Sequence, residues 1–261
     1  MKTKCTVYQL GLVPYAQAWE LQQQLAAEIA RGAHPATVLL LEHPHTYTFG
    51  RRGHPENLLW DEAERARRGV QVHWVDRGGD ITYHGPGQLV GYPLLPLAPG
   101  GLRMNSQSGL ARLPQADYVG YVRMLEQTLI AALARLGVAT SQIPGLTGVW
   151  VRPDTISQGD DTPAETRNPP AKIAAIGVKV DVQGVSRHGF ALNVDTDMSY
   201  WKGIVGCGLK EHPVANLADL LHPRPSMDQV IEAVIEAFGQ TFEYAMVRAD
   251  ISLYQNALNS V

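Results

Sequence analysis

The run KIAAIGVKVDVQGVSRHGFALN, Lys172 to Asn193, decides the fold class. It reads as two strands, Lys172 to Val182 and Val185 to Asn193, around Gln183-Gly184, where glycine supplies the backbone angles that a tight hairpin demands. Working outward, further strands are expected at Val38 to Leu41, Val72 to Val75, Ile81 to Tyr83, Gln88 to Leu94 and Gly148 to Val151. Three helical stripes accompany them. Ala18, Leu21, Leu25 and Ile29 recur at helical spacing before Gly32. Val122, Leu125, Leu129, Leu133 and Leu136 do so between an Asp117 cap and Gly137. Met227, Val230, Ile231, Val234, Ile235 and Phe238 follow Ser226, which forms a capping box with Gln229. Clustered strands with helices before and after predict an α+β fold rather than a strict βαβ alternation.

A chain of 261 residues, 45% hydrophobic and 18% charged, has enough apolar material for one substantial core, and a single domain over residues 1–261 is expected. Stretches 99–115 and 153–170, rich in small and turn-forming residues, read as surface loops. The second ends just before Lys172, as a flap over a site would. A net charge of -3 argues against nucleic-acid binding, which calls for a basic excess. Two cysteines, Cys5 and Cys207, are too few for a disulfide framework. No apolar run is long enough for a signal peptide or membrane span, so the expected location is cytoplasmic, with no membrane partner.

Two runs carry chemistry. In Arg77-Gly-Gly-Asp-Ile-Thr-Tyr-His-Gly-Pro-Gly-Gln88, glycines and a proline surround a Tyr-His pair, a composition suited to backbone lying against a ligand. In Gly206-Cys207-Gly208, a thiol sits where neighbouring glycines leave it room and free its backbone amides to face a developing oxyanion. The same glycines also suit a purely structural turn. Lys172 opens a strand of small residues, where it either points into a cleft or is simply solvated. Paired with a cysteine it has a use. A free thiol with a pKa of about 8.5 is roughly 3% ionised at pH 7, and a nearby ammonium lowering that by about 1.5 units raises the fraction to about half. His43, His45, His54 and His84 lack acidic or cysteine partners at metal-ligand spacing, so no metal site is expected. His84 reads as a pocket residue or a brace for its loop.

Taken together, Arg77 to Pro93, Ala171 to Val178, His188-Gly-Phe-Ala-Leu-Asn-Val194 and Gly206-Cys-Gly208, with Leu41-Glu-His-Pro44 and Tyr47-Thr-Phe-Gly50 upstream, resemble the signatures of the lipoyl(octanoyl) transferases. The resemblance spans roughly residues 38 to 210. It implies a biotin/lipoyl protein ligase-like domain with a mixed, mostly antiparallel sheet flanked by helices. It also implies transfer of an octanoyl group from acyl carrier protein to a lysine of a lipoyl domain, the first step of endogenous lipoylation. The acceptors would be lipoyl domains of 2-oxoacid dehydrogenase complexes and the glycine cleavage H protein.

By the same resemblance, Cys207 would carry the acyl group as a thioester, and Lys172 would lower the thiol pKa and shuttle protons. Arg77, Gly78, Gly79, Asp80, Ile81, Thr82, Tyr83, His84, Ala175, Ile176, Gly177, Gly189, Phe190 and Ala191 match the segments that line the acyl pocket. No cofactor is implied, because the phosphopantetheine arrives with the carrier protein. Burial of the chain would contribute about 0.8 kcal/mol per methylene. Arg51, Arg52, Lys202 and Lys210 are candidate contacts to an acidic carrier, whereas Arg65, Arg67 and Arg68, mixed with Glu62 and Glu64, read as a solvated helix face. Two other readings stay open. An ATP-dependent lipoate or biotin protein ligase would form an acyl-adenylate and need no thiol, and a non-catalytic protein would bind acyl chains or lipoyl domains without turnover.

Overall fold

The computed structural model describes residues 2–97, 117–151, 169–206 and 212–251, with the backbone of 103–104 and 111–112. The strands are β1 (Lys4–Leu12), β2 (Ala36–Glu42), β3 (Thr46–Phe49), β4 (Gln71–Trp74), β5 (Ile81–His84), β6 (Gln88–Leu94), β7 (Arg103–Met104), β8 (Ala111–Arg112), β9 (Ser141–Ile143), β10 (Leu146–Val151), β11 (Ala171–Val180), β12 (Ser186–Asn193) and β13 (Ala245–Arg248). The helices are α1 (Tyr15–Ala30), α2 (Glu62–Arg67), α3 (Tyr118–Arg135) and α4 (Met227–Thr241).

Eight strands form one sheet in the order β13-β1-β2-β6-β12-β11-β10-β9. It is parallel at the β13-β1-β2 end and antiparallel from β2 onward. This is an α+β fold with a mixed, mostly antiparallel sheet. Period-two alternation decides what each face carries. Val38 and Leu40 of β2, with Leu89, Phe190 and Leu192, pack against α3 and α4. Leu39 and Leu41, with Val90, Tyr92 and Ala191, pack against the stripe Ala18, Leu21, Leu25 and Ile29 of α1. A second sheet, β4-β3-β5, centres on Tyr47, Phe49, Ile81 and Tyr83.

The sequence punctuation works as its chemistry suggests. Asp117 accepts from Gly120 N at 2.7 Å, and Ser226 and Gln229 complete both bonds of the capping box. Gly32 (φ +73°) and Gly137 (φ +87°) follow α1 and α3 in the left-handed region that lets a chain leave a helix. In the hairpin, Asp181 Oδ1 accepts from Gln183 N and Val185 N, which ends β11 at Val180 rather than Val182. The charged run after Asp61 forms α2, none of whose residues is buried. β1, β3, β7, β8, β9 and β13 lie outside the expected strands. Of the expected surface stretches, 99–115 is described only as the β7-β8 pair, and 152–168 lies outside the described residues. Among the described residues no helix is long and apolar enough to cross a membrane.

Candidate active site

The hairpin builds the floor of a narrow slot. Gly177 pairs with Gly189 and Ala175 with Ala191, so four small residues share one face of β11 and β12, while Ile176 and Phe190 turn toward the α3–α4 core. Over this face lie Arg77, Gly79, Thr82 and His84 from the second sheet and its glycine-rich loop, with Tyr15 from the first turn of α1 and Tyr92 from β6. The space between is about 450 Å3, mouth included.

The loop over the slot is held at several points. Gly78 N donates to Val178 O at 3.0 Å. The Arg77 guanidinium is buried, donating to Gly78 O at 2.9 Å and to Thr48 O at 2.5 Å. A Cβ on Gly177 would stand 2.9 Å from Gly78 O and 3.1 Å from Arg77 Cδ, so the loop rests on bare backbone there. Asp80 is turned to structure: Oδ1 accepts from His54 N and Ile81 N, and Oδ2 from Asn57 Nδ2. Just upstream, Asp76 meets Lys179, Arg187 and His188 of the hairpin. The His188 hydrogen bond, foremost, and the lysine beside it hold the Asp76 carboxyl well below the usual carboxylate range.

Tyrosines and histidines close one side of the slot. Tyr15 stacks on His73 and His84 and leans on His43, and its hydroxyl lies 3.5 Å from His188 Nδ1. His43 bridges Val13 O and the Tyr92 hydroxyl, each at 2.6 Å. His84 contacts Gln88 Oε1 at 2.9 Å. Burial pushes His43 down to about 4 and His84 well below the ordinary range, so both rings are neutral at pH 7. Burial also lowers His188, with Asp76 pulling the other way. Among the described residues no three His, Cys, Asp or Glu side chains converge to hold a metal ion.

The slot adjoins a wider, more open cleft, and Gly79, Ile176 and Gly177 line both. Lys172 lines this cleft, together with Gly78, Asp80, Arg52 and Asn57. Its side chain is almost wholly buried, with Nζ 4.7 Å from the centre of the Trp150 ring. Lys172 N donates to Pro213 O at 2.8 Å, and Lys172 O accepts from Ala215 N at 2.9 Å. Cys207 lies outside the described residues. The chain before it is tied to the cleft by Val205 N donating to Asn57 O at 2.8 Å, and the chain after it runs beside Lys172 through Val214.

Of the expected pocket residues, Arg77, Gly79, Thr82, His84, Ala175, Ile176, Gly177, Gly189, Phe190 and Ala191 line the slot, and Gly78 and Asp80 line the cleft. Ile81 and Tyr83 point the other way along β5, into the aromatic core with Tyr47 and Phe49. Tyr15, Tyr92 and His188 line the slot without having been expected. His188 carried a signal, since it opens the His-Gly-Phe-Ala motif. Tyr92 carried one too, as part of the Arg77 to Pro93 motif, whereas Tyr15 looks like an ordinary core aromatic. Arg51, Arg52 and Lys202 are exposed, and Lys210 lies outside the described residues.

Residues 14–239 match the family model described as the lipoyl protein ligase A/B catalytic domain. The chain is 44% identical over 237 residues to an octanoyltransferase of Chloroflexus aurantiacus, covering 91% of this chain and 93% of that protein. It is 44% identical over 243 residues to an octanoyltransferase of Solibacter usitatus, covering 93% and 95%. Among solved structures, a bi-partite lipoate protein ligase from Thermoplasma acidophilum superposes with a TM-score of 0.67 at 16% identity, covering 99% of this chain and 90% of that one. A lipoate-protein ligase A bound with ATP gives 0.64 at 16% identity, covering 99% and 92%. At such identities these two structures establish the fold.

Proposed function

The chain belongs to the lipoyl protein ligase A/B catalytic-domain family and, within it, to the octanoyltransferases; from that premise we propose that it takes an octanoyl group from the phosphopantetheine thioester of acyl carrier protein onto Cys207 and passes it to a lysine of a lipoyl domain. As an octanoyltransferase it is an acyltransferase of protein lipoylation. The observation that carries the finer reading is the slot lined by small residues, opening at Gly79, Ile176 and Gly177 into the cleft that holds Lys172.

In the proposed first step the Cys207 thiolate adds to the thioester carbonyl, and the carbon–sulfur bond to the carrier breaks. The carrier's thiolate leaves and is protonated by the Lys172 ammonium, which received the proton of the Cys207 thiol. In the second, the neutral amine of a lipoyl-domain lysine attacks the Cys207 thioester. An amide forms, the carbon–sulfur bond to Cys207 breaks, and the amine's surplus proton passes through Lys172 to solvent or to the thiolate. Thioester exchange is nearly isoenergetic and amide formation runs downhill, so the sequence requires no nucleotide or other cofactor. Burying the octanoyl methylenes contributes about 0.8 kcal/mol each to holding the chain. An ammonium near the thiol raises its ionised fraction at neutral pH.

The test is intact-protein mass spectrometry after mixing with octanoyl-acyl carrier protein in the absence of ATP. An octanoyl mass added to wild type but not to Cys207→Ala, and discharged by apo lipoyl domain, is the expected result. Acylation of the domain by Cys207→Ala from free octanoate with ATP would mean that the chain works as a ligase and that Cys207 is structural.

A further inference from the structure

Glu126 is a carboxylate with no exposed surface, set among the apolar residues of α3. Burial of a carboxylate is costly, and helix packing alone would be served by an apolar side chain. Its two oxygens are committed: one accepts from Arg123 Nη1 at 2.6 Å, the other from the backbone N–H of Gly148 in β10 at 2.9 Å.

That amide lies within the break of the β9 ladder and one residue ahead of the break against β11. Against β9 the register shifts between Leu146 and Trp150, and against β11 it shifts between Val149 and Trp150. Val149 pairs with Ala174, so unbroken antiparallel pairing would set Trp150 opposite Ile173; instead it pairs with Lys172. A one-residue slip sends a side chain to the other face of a sheet. In regular register Lys172 would share the face of Ala174, Ile176 and the α3–α4 core. The bulge turns it to the face of Trp150, into the cleft. Gly148 (φ +126°) then provides the passage: a Cβ there would stand 3.2 Å from Lys172 Cε and 3.4 Å from Cδ.

We propose that Glu126 is a positioning residue for Lys172: by taking the Gly148 N–H it fixes the bulge that aims the lysine into the cleft. The inference rests on the Cys207–Lys172 reading above.

The experiment measures the pH dependence of Cys207 alkylation, read on the Cys207 peptide, and kcat/KM for octanoyl transfer. The proteins are wild type, Lys172→Ala, Glu126→Gln, Glu126→Leu and Glu126→Asp. Glu126→Gln keeps an oxygen for Gly148 N and should hold the thiol pKa and keep kcat/KM within about threefold. Glu126→Leu should raise the thiol pKa by about one unit toward the free value of about 8.5 and lower kcat/KM by about tenfold, mainly through kcat. If the leucine variant does not fold, Glu126→Asp, which keeps the charge but falls short of Gly148, should show the same shift. A shifted pKa in Lys172→Ala with a wild-type value in Glu126→Leu or Glu126→Asp would overturn the positioning role and leave the transferase reading intact. A wild-type value in Lys172→Ala would sink the lysine's role, and the inference with it.

Discussion

Nε2 of His188 lies 2.7 Å from Oδ1 of Asp76, joining the strand under the slot to the loop over it. Lys179 and Arg187 meet the same carboxylate, so Asp76 is the clasp between hairpin and loop. Asp76→Ala is expected to lower stability by about 1–3 kcal/mol, since the carboxylate is partly exposed and its ion pairs are partly screened. It should also raise the KM for the octanoyl donor more than it lowers kcat. Urea midpoints and steady-state kinetics check both, and an unchanged KM would mean the loop keeps its place without the clasp.

In the proposed reading Ala175, which lines the slot, leaves room for the acyl chain by being small. Ala175→Leu should depress octanoyl transfer by about tenfold or more while sparing shorter donors, because each methylene denied its place forfeits about 0.8 kcal/mol, roughly fourfold in binding. Competition between butanoyl, hexanoyl and octanoyl donors reads this directly. Equal losses at every chain length would place the acyl group elsewhere.

Acid should loosen the tyrosine–histidine wall. With its folded pKa down near 4, His43 stays neutral between about 4 and its ordinary value of 6.5, while the unfolded chain takes up a proton. Stability is therefore present above pH 6.5 and is lost as pH falls through that window, by roughly 3 kcal/mol at most from this ring. His84 works in the same direction. Denaturant midpoints from pH 7.5 to pH 4 should show the fall, and His43→Gln should flatten part of it.

The Ser226 hydroxyl accepts from Gln229 N at 3.2 Å, while Gln229 Oε1 accepts from Ser226 N at 2.8 Å. Ser226→Ala should cost about 1 kcal/mol and leave transfer kinetics unchanged, with thermal melting as the readout.

The helices and the central hairpin were legible because their information is local: Asp117, Ser226, Gly32, Gly137 and Gly184 each act within a few residues of their own position. β3 is not legible because Thr46–Phe49 follows Pro44 and is only four residues long, too short for its threonine–aromatic alternation to declare a strand. β1 gains strand character from lying between β2 and β13, and β13 from lying beside β1, pairings that neither segment announces. In the site, motif residues were readable and their sorting was not. Alternation along β5 sends Thr82 and His84 to the slot and Ile81 and Tyr83 to the core, and only the sheet's placement says which face is which. The face that Lys172 occupies depends on a bulge, and register is settled by partners far along the chain.

The pairing of Val90 in β6 with Ala191 in β12 sets an order of events for a chain leaving the ribosome. β6 is synthesised long before β12, and such distant pairings are slow to form. Until Asn193 has emerged, Val90 and Tyr92 have no neighbouring strand on that side, and the slot has neither floor nor second wall. An aborted or clipped chain ending before Ser186 would therefore display the unpaired edge of β6, with its apolar side chains, where the complete chain forms the slot. Such a fragment should bind chaperones or aggregate instead of persisting as a half-built enzyme.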